Sequence, residues 1–135
     1  MNKKLLSVLI VLSAVLFTGC SKKDEVDVRD QFVATYQVTD AWTASGISKT
    51  YSYSMIITKS AQDPNVILMS NFGGESGTIV TASVSGNKFT IQQQTVQGYG
   101  YSGSGTISGS TLSFSYLISA SGGSLVNVSS AGAKM

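Results

Sequence analysis

The stretch Ile107-Ser108-Gly109-Ser110-Thr111-Leu112-Ser113-Phe114-Ser115-Tyr116-Leu117-Ile118 decides how the chain is read. Leu112, Phe114, Tyr116 and Ile118 alternate with smaller or polar residues, the period of two that puts one face of a β-strand against a core. Gly109-Ser110 interrupts two such runs, and a glycine-led pair between alternating segments is a hairpin signal. The same arrangement occurs upstream, where Val84-Ser85-Gly86-Asn87-Lys88-Phe89-Thr90-Ile91 matches Ile107–Phe114 position by position in residue type. These are tandem hairpins.

Working outward, period two begins at Phe32, with Ala34, Tyr36 and Val38 on one face and Val33, Thr35, Gln37 and Thr39 on the other. Trp42–Ser48 reads as a loop around Ser45-Gly46. Tyr51, Tyr53, Met55 and Ile57 resume the alternation, and Ala61–Asn65, with the only proline, reads as a turn. Val66–Phe72 is apolar on both faces, which predicts a strand covered on both sides. Val80, Ala82 and Val84 come next; then Phe89, Ile91, Gln93 and Thr95; then Tyr99, Tyr101, Gly103, Gly105 and Ile107, each set sharing a face. Leu125–Ser130 closes the series with Val126 and Val128 inward. About eight strands on short loops predict an all-β fold, a single antiparallel up-and-down β-barrel, with a β-sandwich as the alternative, because open edges invite aggregation. Glycines 98, 100, 103 and 105 favour the barrel, since glycine permits sharp strand bends. Eight closed strands leave an interior that side chains fill or that holds one small ligand.

The N-terminal part has another character. Lys3 and Lys4 precede an apolar run from Leu5 to Phe17, too short for a membrane span of about 20 residues. Leu16-Phe17-Thr18-Gly19-Cys20 resembles the lipobox of bacterial lipoproteins, whose cysteine is acylated and becomes the mature N-terminus; Phe17 replaces the commoner aliphatic residue. The resemblance implies a signal peptide over 1–19, lipidation at Cys20, the only cysteine, and attachment by several acyl chains, as stable anchoring requires. Ser21 is not the acidic residue that retains many such anchors at the inner membrane. Ser21-Lys22-Lys23-Asp24-Glu25 resembles the surface-export signal of one group of Gram-negative bacteria. The implied address is the outer membrane, facing the cell exterior. Residues 20–31 are then a charged linker, and 32–135 the barrel domain.

Nine basic residues, less Lys3 and Lys4, leave seven against seven acids. Formally neutral mature side chains give no reason to expect nucleic acid as a partner.

Ala34-Thr35-Tyr36-Gln37-Val38-Thr39-Asp40, Asn71-Phe72-Gly73 and Gly103-Ser104-Gly105-Thr106-Ile107-Ser108-Gly109 are similar to a group of small bacterial lipoproteins with lipocalin-like barrels. The resemblance covers most of Phe32–Met135. It implies a barrel able to hold a small apolar ligand, and it carries over no catalytic residues.

With no histidine and one cysteine, Ser–His–Asp and Cys–His catalysis and any His- or Cys-based zinc site are excluded. Asp40, Asp63 and Glu75 each lie near a predicted turn and are expected to be solvated, and Gly98–Gly105 lacks the strand–turn–helix context of a phosphate loop. The chain is therefore expected to be no enzyme and to need no cofactor or metal. The remaining binding candidates are Tyr36, Trp42, Tyr53, Tyr99, Tyr101 and Tyr116, together with Gln93, which the alternation places inward beside Ile91. The expected function is a binding module for a small hydrophobic or sugar-like ligand. The alternative is a side-chain-filled barrel that presents its loops to another protein.

Overall fold

The computed structural model describes residues 25–120 and 122–135; the expected signal peptide over 1–19, Cys20 and the start of the expected linker lie outside the described residues. Eight strands close into one barrel in chain order: β1 (Ala34–Ala44), β2 (Ile47–Lys59), β3 (Val66–Ser70), β4 (Ile79–Ser85), β5 (Lys88–Val96), β6 (Tyr99–Ser108), β7 (Thr111–Ser119) and β8 (Leu125–Lys134). Every neighbour is antiparallel, and β1 pairs with β8 through six residue pairs, Tyr36↔Lys134 to Ala41↔Ser129. Closure gives each of the eight strands a hydrogen-bonded neighbour on both sides.

Four hairpins turn on two residues, and their conformation differs between the two ends. At one end Ser45-Gly46 and Gln97-Gly98 both have positive φ (51° and 77°, 52° and 83°), the type I′ pattern. At the other, only the glycines of Gly86-Asn87 and Gly109-Ser110 do (59° each), the type II′ pattern. Trp42 is therefore a strand residue, because the I′ turn is tight enough to carry pairing out to Ala44↔Ile47. The expected loop over Trp42–Ser48 is confined to its central pair.

Most inward positions are apolar and most outward ones polar. Tyr36, Val38, Met55, Ile57, Ile67, Met69, Val80, Leu112 and Phe114 are buried, whereas Gln37, Thr39, Ser52, Ser54, Thr81, Thr90, Ser113 and Ser115 face solvent. This polarity is the reverse of a transmembrane barrel, which is apolar outside. For the same reason β3 is not covered on both sides: Ile67 and Met69 point in, while Val66 and Leu68 are half-buried on the outer wall.

Aromatic rings fill the axis. Phe32 closes one end and packs edge-on against Phe89, at 6.0 Å between ring centres; Phe89 meets Phe114 at 5.9 Å, and Phe114 meets Tyr116 at 6.1 Å. From the other end Phe72, on a 3-10 turn (Phe72–Gly74), reaches down to Tyr116, Tyr101 and Phe114 at 4.7, 5.5 and 6.0 Å. Gly105 makes this column possible. It stands opposite Phe114 in the β6–β7 register, and a Cβ there would collide with Phe114 and the Phe89 ring.

The Phe32 end is also pinned from outside. Val28–Gln31 forms a 3-10 turn capped by Asp27, whose Oδ1 accepts from the Arg29 amide at 3.0 Å. The buried Arg29 side chain pairs with Asp27 at 2.7 Å and donates to the Ser60, Asp63 and Val66 carbonyls between β2 and β3. The end of the charged linker thus belongs to the folded domain. Arg29 supplies the donor for the Ser60 carbonyl and adds a second bond to the Asp63 and Val66 carbonyls, which already accept from the Val66 and Ser60 amides.

One seam is imperfect. β4 and β5 pair only from Ser83↔Thr90 to Ser85↔Lys88, and a register shift between Ile91 and Gln94 disturbs β5 against β6. Across the gap the Gln94 amide mimics a strand: its Nε2 donates to the Thr81 carbonyl at 2.8 Å, and its Oε1 accepts from the Thr81 amide at 3.0 Å. The extra residue of this bulge reverses the facing of the residues beyond Ile91. Gln93, expected inward beside Ile91, is consequently exposed on the outside.

Candidate functional site: the open mouth

The end opposite Arg29 is open. It is bounded by the β1–β2 and β5–β6 hairpins, the Phe72–Gly74 turn and the β7–β8 connection. Continuing the inward phase of Tyr36 and Val38 by one step brings Asp40 inside, where it is only 3% exposed. Its solvated-turn assignment is thereby corrected, because β1 runs on to Ala44 and its period is unbroken at residue 40.

Register assembles the partners of Asp40. Ser130 faces it directly across β1–β8, Tyr53 lies one inward step along β2 from its direct partner Tyr51, and Tyr116 pairs with Val128 on the far side of β8. The Asp40 Oδ1 accepts from the Ser130 hydroxyl at 2.5 Å and the Tyr53 hydroxyl at 3.2 Å; its Oδ2 accepts from the Tyr116 hydroxyl at 2.7 Å. No ion pair reaches Asp40 among the described residues. Burial, reinforced by the Asp40 charge, pushes the Tyr53 and Tyr116 phenols far above the ordinary tyrosine range. Both therefore stay protonated as donors at any physiological pH.

Above this floor lies a cleft of about 240 Å³, walled by Trp42, Tyr51, Ile118 and Val126. Tyr51 stacks on Tyr53 at 5.9 Å and is half exposed. The rim is apolar as well, with Ile47 62%, Leu125 68% and Tyr99 45% exposed. A larger depression of about 390 Å³ opens on the outer wall where β1 and β8 part above Ala41–Ser129, but its lining is exposed or half-buried throughout. The mouth, with its buried carboxylate, has the better-built chemistry. Among the described residues no three His, Cys, Asp or Glu side chains come together as they would around a metal ion.

Of the residues singled out from sequence, Trp42, Tyr53 and Tyr116 meet at the mouth. Tyr99 joins them only at the rim, beside Ile118 and Val126. Tyr101 is buried against Phe72 inside the barrel. Tyr36 is at the closed end, where its hydroxyl donates to the Phe32 carbonyl at 2.8 Å and burial pushes its pKa up to about 12. Asp40, Tyr51 and Ser130 are site residues that the sequence reading missed; each continues the inward series of its strand, but only pairing with the neighbouring strand shows that the series extends that far.

The class defined by these features is a closed, eight-stranded up-and-down barrel with a filled axis and one open, aromatic-walled mouth. The chain matches no family profile, no curated protein and no solved structure.

Proposed function

We propose that this chain is a lipid-anchored lipoprotein of the cell envelope, attached through Cys20 at the outer membrane and facing the cell exterior. In this reading it is a non-enzymatic binding module that takes a small hydrophobic or sugar-like ligand at the barrel mouth. The observation that carries the binding reading is the juxtaposition of the buried Asp40 carboxylate with apolar and aromatic walls in one cleft. Ligand sites are typically apolar concavities with a few placed polar groups. With Phe32, Phe89, Phe114 and Phe72 stacked along the axis, the ligand sits at the mouth and not within the barrel.

Polarity along the barrel supports the anchoring reading. The described chain starts at the closed end, where Arg29 ties Val28–Gln31 to the β2–β3 loop. An anchor preceding that point would attach the barrel by its closed end. The exposed apolar rim of Ile47, Tyr51, Tyr99 and Leu125 supports a second reading, a docking surface for another protein, since clustered exposed apolar side chains mark interaction sites.

Native mass spectrometry of the protein purified gently from its host tests the binding reading. A reproducible extra mass that is lost on denaturation, and lost again in Trp42→Ala, supports it. A bare polypeptide mass that persists after incubation with lipid and sugar extracts favours the docking surface. Metabolic labelling with a fatty acid, abolished in Cys20→Ala, tests the anchor.

A further inference from the structure

We infer that the mouth is built for a small amphiphilic organic cation, an amine or quaternary ammonium group on a short apolar body. This inference rests on the proposed reading of the mouth as a ligand site and names the class of ligand.

Three features converge on it. The first is charge. Asp40 lies at the floor, 3% exposed, and neither lysine nor arginine pairs with it among the described residues. A buried carboxylate is costly unless it is compensated. Three hydroxyls supply hydrogen bonds but no positive charge. Two of them occupy Oδ1 and one occupies Oδ2, so of roughly four acceptor directions one remains, on Oδ2.

The second feature is the aromatic wall. Trp42 and Tyr51 flank the cleft directly above that carboxylate. The negative face of an aromatic ring attracts an ammonium group, most strongly at tryptophan and where water is excluded.

The third feature is what the walls lack. Ile118, Val126 and Val128 supply no hydrogen-bond partner, and no basic side chain lines the cleft. An anion would face Asp40, and a neutral hydrocarbon or a sugar would bring no positive charge to the carboxylate. A volume of about 240 Å³ restricts the apolar body to a short one.

Among the described residues, two further charges stand at this end. Glu75 is exposed on the loop after the Phe72–Gly74 turn, and Lys49 is the register partner of Trp42, exposed near the hairpin tip. Lys49 carries the same sign as the ligand and so weakens its binding.

The lone tryptophan of the chain makes the test direct, because Trp42 fluorescence reports occupancy of the mouth. The full chain in a non-ionic polyoxyethylene detergent is titrated at neutral pH with butyltrimethylammonium, butylammonium, 1-butanol, butyrate and methyl glucoside. The expected result is saturable binding of the two cations, about tenfold or more tighter than 1-butanol. Asp40→Asn should lose that advantage, and Lys49→Gln should tighten the cations by about twofold. If Asp40→Asn does not fold, the cation-to-alcohol ratio in the unaltered protein and the Lys49→Gln shift decide the matter. Equal affinity for 1-butanol overturns the cation while leaving an apolar mouth site in place. Preference for methyl glucoside overturns it in favour of a sugar site. Failure of every probe to saturate, together with a bare mass in native spectra, removes the cation and the ligand-binding reading together.

Discussion

Replacing Phe72 with alanine separates a filled barrel from a hollow one. Phe72 reaches the core from a turn at the mouth end; it is fully buried, with Tyr116, Tyr101 and Phe114 at 4.7, 5.5 and 6.0 Å. Large aromatic side chains bury roughly 150–250 Å², which at about 25 cal/mol per Å² corresponds to about 4–6 kcal/mol for complete removal from water. Alanine retains its Cβ and the backbone, and truncations of this kind in cores cost about 3–5 kcal/mol. Phe72→Ala should fall in that range, a large part of the about 5–15 kcal/mol that holds a domain together. Urea denaturation followed by far-ultraviolet circular dichroism measures it, with Leu117→Ala on the outer wall as a control expected to cost little. An unchanged denaturant slope would show that the native barrel persists. A loss at Phe72 below about 2 kcal/mol, close to that of the control, would mean that the ring does not fill the axis and that the barrel has an open interior.

Gln94→Glu keeps an acceptor for the Thr81 amide but removes the donor to the Thr81 carbonyl; it should cost about 1–2 kcal/mol in urea and speed hydrogen exchange around the β4–β5 gap. Tyr53 and Tyr116 have phenol pKa values raised in the folded state, so the stability they confer is present below the ordinary tyrosine pKa of about 10 and is lost as pH rises through it. Tyrosine ionisation followed by ultraviolet absorbance should accordingly coincide with loss of the β-sheet signal, and smooth titration of all tyrosines in an intact barrel would contradict this. At the closed end the Arg29 guanidinium holds the Asp27 carboxyl well below the usual carboxylate range. That contribution is present above about pH 4 and disappears as pH falls below it; Asp27→Asn should therefore flatten the acid limb of a thermal-melting profile.

Features that depend on neighbours in sequence are legible along the chain. Leu112, Phe114, Tyr116 and Ile118 alternate because a strand alternates, and Gly86-Asn87 and Gly109-Ser110 turn where their glycines allow positive φ. Both are local properties, readable without knowing what lies opposite. The expected Trp42–Ser48 loop differs from the structure for the opposite reason. Ser45-Gly46 does mark a turn, but how far pairing extends on either side depends on β2 matching β1 out to Ala44↔Ile47. Gln93 departs from its expected facing in the same way, because a bulge is a property of two strands and no alternation within β5 reveals it.

Periodicity and turn residues along the chain already specify an all-β fold, about eight strands, their turns and most inward-facing residues. The chain also contains, in Leu16–Cys20, the lipobox resemblance behind the proposed address. Closure into a barrel was decided only when β8 returned to pair with β1, where Asp40 and Ser130 meet across 90 residues of separation. The same closure placed Ser130 and Tyr116 on the carboxylate of Asp40 and lifted Phe72 from a loop into the core. A buried acid is indistinguishable from a turn acid along the chain, since its environment consists of groups supplied by distant strands. Local periodicity sets which way each side chain points; only three-dimensional register sets what it meets there.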